Sequence, residues 1–377
     1  MEQYTDSKLF RLDGIKMVKV IDDSPENFFT DIAQKKLFLF GAGKRAKYIC
    51  EIYDLKNIEA IIDNNIELCG SIFEYNNNCV PIINIQCFIE LVEKYSVEEI
   101  VLLITPAYSS LSIIEQLDTI PALENLRCYL GRLLDDYYKK KEFDFSVGVV
   151  QIPKKIHYCW FGDKTIPEHL QYYINTWRRY CPNYEIIKWD ESNYDVKKNQ
   201  YMKEAYECQK WGFVPDYARL DIIYSEGGIY LDTDVELISS LDKLLNDTMY
   251  CGFNSYGLIN LGLGFGATPK NSFVEELRNA YEGISFYNED ESENLTACSW
   301  YQHPIFKKYG FEINNEYQKK NNVVVYPSEV LAPTGASGCA NNFTDKTISI
   351  HHAELSWISK KEKAEFRRFQ ENIKKRL

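Results

Sequence analysis

The sequence predicts an α/β protein built in two halves, and three observations carry that expectation. Strand-like and helix-like segments alternate from about residue 34 to 135. A glycine turn, Gly41-Ala42-Gly43, comes directly after an apolar run. A second glycine pair, Gly227-Gly228, opens another short apolar strand that ends in Asp232 and Asp234. At 377 residues the chain is too long for one ordinary core and fits two domains, 1–148 and 149–377.

In the first half, Leu37-Phe38-Leu39-Phe40 reads as a buried strand, followed by the glycine turn and a helix to about Tyr53. A second strand, Ile58–Ile62, ends at Asp63, and a third covers Glu99–Ile104 after a helix from about Phe88 to Lys94. This is the βαβ rhythm of a doubly wound parallel sheet, expected to stop after three or four strands. Gly41 and Gly43, with Ala46 behind them and Asp63 about 20 residues on, match the dinucleotide fingerprint of a Rossmann-like sheet. Glycine admits a phosphate to the backbone there, and the helix N-terminus favours its charge. The missing second mononucleotide half argues for a structural or regulatory sheet over true nicotinamide use. The segment resembles small Rossmann-like domains attached to sugar-nucleotide enzymes, on its Gly-Ala-Gly turn and on Ile62-Asp63-Asn64-Asn65.

Asp135–Glu142 reads as a charged helix end or linker. Beyond it comes a strand within Ile152–Phe161, a turn at Gly162, a helix from about Pro167 to Tyr180 and a strand from Tyr184 to Trp189. A helix from about Pro215 to Ser225 delivers the chain to Gly227-Gly228. Side chains alternate along a strand, so Asp232 and Asp234 are expected on one side, where two carboxylates suit a hard divalent cation. The cation in turn can hold a diphosphate. Asp216 and Arg219 lie one helical turn apart and share a face, where an arginine fork suits phosphate oxygens. Leu258–Ala267 carries glycines at alternate positions and reads as a strand passing close beneath a reacting ring, with Asn260 near it.

Composition narrows the function classes. A net charge of -12 disfavours nucleic acid as a general partner, which needs a basic surface. Eleven cysteines without any Cys-x-x-Cys exclude the usual zinc spacings and read as reduced, mostly buried thiols. Met1–Asp6 has no basic or apolar leader, and no run nears eighteen apolar residues, so the expected location is the cytoplasm. Residues 359–377 are rich in lysine and arginine, with Phe366, Phe369 and Ile373 at helical spacing. Two readings stay open for that helix: packing onto the domain, or peripheral contact with an anionic membrane at its inner face.

Four blocks then occur in order: IPKKIHYCWFG (152–162), NTWRRYCPNYEIIKWD (175–190), FVPDYARLDIIYSEGGIYLDTDVE (213–236) and ISIHHAELSW (348–357). Together they resemble the DXD-motif sugar-binding glycosyltransferases of family 32, the capsular-polysaccharide and mannosyltransferase group. Glucosylating bacterial toxin domains are more distant relatives by the same motifs. The resemblance covers roughly residues 150–357 and leaves 1–148 outside it. It implies a GT-A-type nucleotide-diphospho-sugar transferase domain, a nucleoside-diphosphate sugar donor and a saccharide or lipid-linked glycan acceptor. Asp216 and Arg219 would hold the donor sugar and its phosphate, Trp160 the base and Asn175 the nucleoside, with Trp357 in the closing motif. Asp232, Asp234 and a histidine would hold Mn²⁺ (or Mg²⁺). Adjacent strand residues face opposite ways, so only one of His351 and His352 can serve; His352 is preferred as nearer the expected loop. Oxygen ligands with one imidazole suit Mn²⁺ better than Ca²⁺. The resemblance further implies front-face transfer with retention of configuration.

Two competing readings remain open. A nicotinamide-dependent oxidoreductase would centre on Gly41, Gly43 and Asp63, and would need acid–base residues that the second half does not offer. A silent sugar-nucleotide-binding scaffold is opposed by the intact Asp232, Asp234 and Arg219.

Overall fold

The computed structural model describes residues 17–135, 142–255, 257–335, 342–354 and 360–373. The chain divides into two units, one of residues 1–134 with 364–377, the other of residues 135–363. The C-terminal segment, assigned from sequence to the second half, therefore groups with the first.

The first unit holds a seven-stranded sheet in the order Lys19–Ile21, Arg127–Leu130, Ile100–Ile104, Lys36–Phe40, Ile58–Ile62, Asn78–Ile83, Ile72–Tyr75. Neighbours run parallel except the last pair, which is an antiparallel hairpin. Ile100–Ile104 is buried at every position, as an apolar run in a doubly covered parallel sheet must be. The sheet is thus larger than the three or four strands expected. Two of the added strands meet at Asn76-Asn77, whose φ values of 42° and 63° form the left-handed pair a two-residue hairpin turn requires. Helix Lys360–Ile373 enters this unit at Ala364, with Phe369 wholly buried. The Arg132 guanidinium lies 4.3 Å from the Phe366 ring centre and 4.9 Å from that of Phe369. Two members of the basic helix's apolar stripe, Phe366 and Phe369, are therefore engaged in packing within this unit.

The second unit has a mixed seven-stranded sheet, ordered Gln318–Lys320, Val323–Tyr326, Met249–Gly252, Phe265–Ala267, Gly228–Tyr230, Lys155–Cys159, Glu185–Trp189. Phe265–Ala267 runs antiparallel to both of its neighbours, and Gly228–Tyr230 runs parallel to Lys155–Cys159. A two-stranded ladder pairs Val235–Leu237 with Ser349–His351. The α/β class expected from the sequence holds in both units.

The glycine pair has a local cause. Helix Val214–Glu226 ends at Gly227, whose φ of 65° and N–H bond to the Ile223 carbonyl close the last turn. Gly228, at φ 97°, enters the strand so tightly that a β-carbon would sit 2.8 Å from the Lys155 carbonyl oxygen and 3.0 Å from His157 Nε2. His157 is fully buried and bridges the strands: its Nδ1 accepts from Trp189 Nε1–H at 3.0 Å, so Nε2–H donates to the Gly227 carbonyl at 3.0 Å. Burial pushes its pKa down to about 4, which keeps the ring neutral. This histidine is a structural brace for the strand that leads to the aspartates.

Candidate active site

Asp232 and Asp234 do not lie on the strand itself. The strand ends at Tyr230, and the pair occupies a turn that Val235 N–H closes onto the Asp232 carbonyl at 3.1 Å. Their convergence thus comes from turn geometry rather than strand alternation. Donor atoms of Asp232, Asp234 and His351 lie within 4.8 Å of one another. Two ligands of one cation at roughly 2.2 Å each can stand little more than about 4.4 Å apart, so the set needs only slight closure to share an ion.

His351 rather than His352 is the histidine brought to the aspartates. His351 stands opposite Val235 in the two-stranded ladder and places Nε2 3.4 Å from Asp234 Oδ1. His352 turns away, its Nε2 2.8 Å from Glu236 Oε2 and its ring stacked on Tyr173. The preference for His352 is corrected on that ground: successive strand residues point apart, and ladder register decides which one faces in. Burial works against the charged form of both Asp234 and His351. Their mutual attraction prevails, holding the Asp234 carboxyl at about 2 and raising the His351 pKa above its ordinary value.

The acid–arginine pair of helix Val214–Glu226 meets the aspartates from below. Arg219 Nη2 lies 3.1 Å from Asp216 Oδ1 and 3.4 Å from Asp232 Oδ1, while its Nε donates to the Pro215 carbonyl. Its side chain is 4% exposed, and the Tyr230 ring centre lies 5.1 Å from the guanidinium carbon. Burial pushes the Asp216 carboxyl up to about 7, a rise that Arg219 opposes and Asp232 adds to. Burial opposes the Arg219 charge as well, yet the acids around it keep the guanidinium firmly protonated.

These groups form the floor of a cleft of about 740 Å³. Trp160 lines it, its indole N–H held by the Lys164 carbonyl at 2.6 Å, and Asn260 lines it beside Asp232. Asn260 accepts the Gly262 N–H at 2.7 Å and opens the short turn Leu261–Leu263, which stands where a continuous strand was expected. Asn175 is not brought to the cleft. It sits exposed on helix Glu168–Tyr180 and accepts from Arg178, because Ile174 and Trp177 take the inward face. Trp357 lies outside the described residues.

Sequence reasoning missed several lining residues, among them Trp211 and Cys298, and it read the close approach of the Leu258–Ala267 glycines without singling out Gly262. Gly262 is the most informative. A β-carbon there would stand 2.7 Å from Asp232 Oδ2 and 3.0 Å from Arg219 Nη1. The alternate glycines around it were the available signal, but their target was not visible in the sequence. In the first unit, Asp63 accepts the Ala42 N–H on Oδ2 and the Asn65 N–H on Oδ1, each at 2.8 Å. Gly41 lies against Pro106, whose Cγ would be 2.7 Å from an added β-carbon.

Residues 167–250 match the family described as "Glycosyltransferase sugar-binding region containing DXD motif". The chain is 26% identical over 223 residues to inositol phosphoceramide mannosyltransferase 1 of Schizosaccharomyces pombe, covering 56% of this chain and 66% of that protein. It is 27% identical over 134 residues to subversion of eukaryotic traffic protein A of Legionella pneumophila, covering 28% of this chain and 20% of that one. The chain thus spans less than two thirds of either relative. Among solved structures, PaToxG glycosyltransferase gives a TM-score of 0.29 at 17% identity, over 34% of this chain and 60% of that one. A glycosyltransferase involved in glycosylation of the major capsid of PBCV-1 gives 0.31 at 11% identity, over 57% of this chain and 98% of that one. The family match, whose residues lie in the second unit, and the mannosyltransferase relative support a glycosyltransferase family.

Proposed function

We propose that the second unit is a divalent-cation-dependent glycosyltransferase. It moves a hexose from a nucleoside-diphosphate sugar to a saccharide or lipid-linked acceptor of the capsule or O-antigen kind, with retention of configuration. One observation carries this reading: Asp232, Asp234 and His351 meet beside the buried Arg219 at the floor of the cleft. Two carboxylates and one imidazole are a donor set that suits Mn²⁺, with Mg²⁺ the alternative. When bound, such an ion neutralises charge on the diphosphate and stabilises it as a leaving group.

The chain's own residues supply the rest. Arg219, fixed by Asp216 and Asp232, offers a preorganised fork to phosphate oxygens and needs no reorganisation as negative charge develops. The Trp160 ring, anchored through its N–H, is suited to stack on a base of any identity. Gly262 brings backbone rather than side chain against Asp232 and leaves room for the ring that Asn260 would face. Hexose transfer, retention and the glycan acceptor rest on the motif resemblance, and the mannosyltransferase relative is in keeping with the first of these. A cytoplasmic location remains part of the proposal; among the described residues no helix is long and apolar enough to cross a membrane. Contact of the C-terminal helix with an anionic membrane also remains part of the proposal and would draw on the helix's charges, with Phe369 buried in the first unit.

Thermal shift and nucleoside-diphosphate release, measured over a panel of sugar nucleotides with and without Mn²⁺, test the reading. A true donor raises the melting temperature by mass action and does so only with the metal. Metal-independent stabilisation, or no stabilisation by any donor, counts against it. The anomeric configuration of the product, read by NMR, tests retention.

A further inference from the structure

The strand that delivers His351 is only three residues long and pairs with only three, a weak hold for a metal ligand. The segment just beyond the strand is held more firmly. His352 N–H donates to the Asp234 carbonyl at 3.0 Å, and Glu354 N–H donates to Asp234 Oδ2 at 2.9 Å. Between them Ala353 takes a left-handed φ of 48°, which a residue with a β-carbon keeps only where its surroundings over-determine it.

Those surroundings are one face of helix Glu168–Tyr180. His169, Tyr172 and Tyr173 fall at i, i+3 and i+4, the spacing that puts side chains together. The Tyr173 ring stacks on His352 with centres 4.2 Å apart and planes at 9°. Tyr172 Oη reaches Glu236 Oε1 at 3.4 Å, and the other Glu236 oxygen lies 2.8 Å from His352 Nε2. His169 Nε2 stands 3.4 Å from Glu354 Oε1. The helix thus touches the segment on both sides of its left-handed residue.

We propose that His352 is a positioning residue, clasped between Tyr173 and Glu236 so that His351 and the Glu354 amide are held on Asp234. This rests on the reading of Asp232, Asp234 and His351 as metal ligands. Residues that orient a ligand typically change metal affinity by about 10- to 100-fold when removed. The clasp acts on the metal without touching it.

The test is Mn²⁺ binding to the full chain, with free Mn²⁺ counted by EPR and nitrogen coupling to bound Mn²⁺ read by pulsed EPR. His352→Ala and Tyr173→Leu should each weaken binding by about tenfold, and His352→Phe, which keeps a ring on Tyr173, should recover part of the loss. The nitrogen coupling should survive in His352→Ala and vanish in His351→Ala, which a merely structural role for His352 does not require. Wild-type affinity in His352→Ala, or loss of the coupling in that variant with its survival in His351→Ala, overturns the inference alone. A wild-type chain that takes up no Mn²⁺ overturns the metal reading and the inference together.

Discussion

The two units carry the same grammar, a strand, a glycine turn and an acid, and use it in opposite ways. In the first, both oxygens of Asp63 accept backbone amides of nearby turns, and Gly41 makes room for Pro106. In the second, Asp232 and Asp234 turn toward His351 and a cleft, with Arg219 buried beneath them. Both oxygens of the first carboxylate are taken by backbone amides of its own turns; in the second pair one Asp234 oxygen takes the Glu354 amide, and the others meet His351, Arg219 and the cleft. What separates a structural acid from a candidate ligand is therefore whether a carboxylate keeps an oxygen toward other donor groups and a cleft. The motif alone does not say.

The largest expected effect tests that contrast directly. Asp234→Ala should abolish Mn²⁺-dependent transfer, a loss of about 10²-fold or more, while the fold survives. Asp63→Ala should leave transfer unchanged and lower the stability of the first unit, because two amides lose their acceptor. Activity assays paired with thermal melts read both outcomes. Wild-type turnover by the Asp234 variant, with metal still required, breaks the comparison at its stronger end.

Gly262→Ala should cost about tenfold in Mn²⁺ or donor affinity, since its β-carbon would stand 2.7 Å from Asp232 Oδ2. Isothermal titration measures it. An unchanged affinity would mean that the turn Leu261–Leu263 gives way at little cost, and the cleft floor is then less rigid than its packing indicates.

How much of this was legible depends on the range of the interactions. The central strands of the first unit, Lys36–Phe40 and Ile100–Ile104, announce themselves as apolar runs, and Asp216 and Arg219 as residues one helical turn apart. These are local facts, and the structure keeps both. The outer strands Lys19–Ile21 and Arg127–Leu130 went unread. The hairpin at Asn76-Asn77 was local too, but Pro81 in its second strand masked the pattern. Asn175 could have been placed outward from the apolar spacing of Leu170, Ile174 and Trp177. The choice between His351 and His352 was different in kind. It depends on register against Val235–Leu237, a strand more than a hundred residues away, and no local pattern encodes it.

Proton competition should produce the next effect in size. A ligating imidazole must be neutral, and Asp234 raises the His351 pKa above its ordinary 6.5 although burial opposes it. Mn²⁺ affinity should therefore rise with pH through that raised pKa and fall, by up to about tenfold per pH unit, below it. Asp234, held at about 2, stays ionised throughout and adds no slope. Titration between about pH 6 and 8 reads the slope; His351→Ala should reduce it to what Asp216, lifted to about 7 beside Arg219 and Asp232, contributes. A slope that persists undiminished in that variant assigns the proton to another group.

The smallest effect is expected from removing the first unit. Every residue assigned to the cleft lies in the second unit, so residues 135–363 alone should bind donor within about twofold of the full chain. The end points matter. A cut at 149–377 would keep Phe366 and Phe369 while removing Arg132, the side chain beneath them, and a buried phenylalanine contributes roughly 1.5–3 kcal/mol. The 149–377 fragment should then expose apolar surface and associate, where 135–363 does not. Light scattering and donor binding on the two fragments measure this. A folded 135–363 fragment that fails to bind a donor bound by the full chain would show that the first unit contributes to the site, and the contrast between the two acids would have to be redrawn.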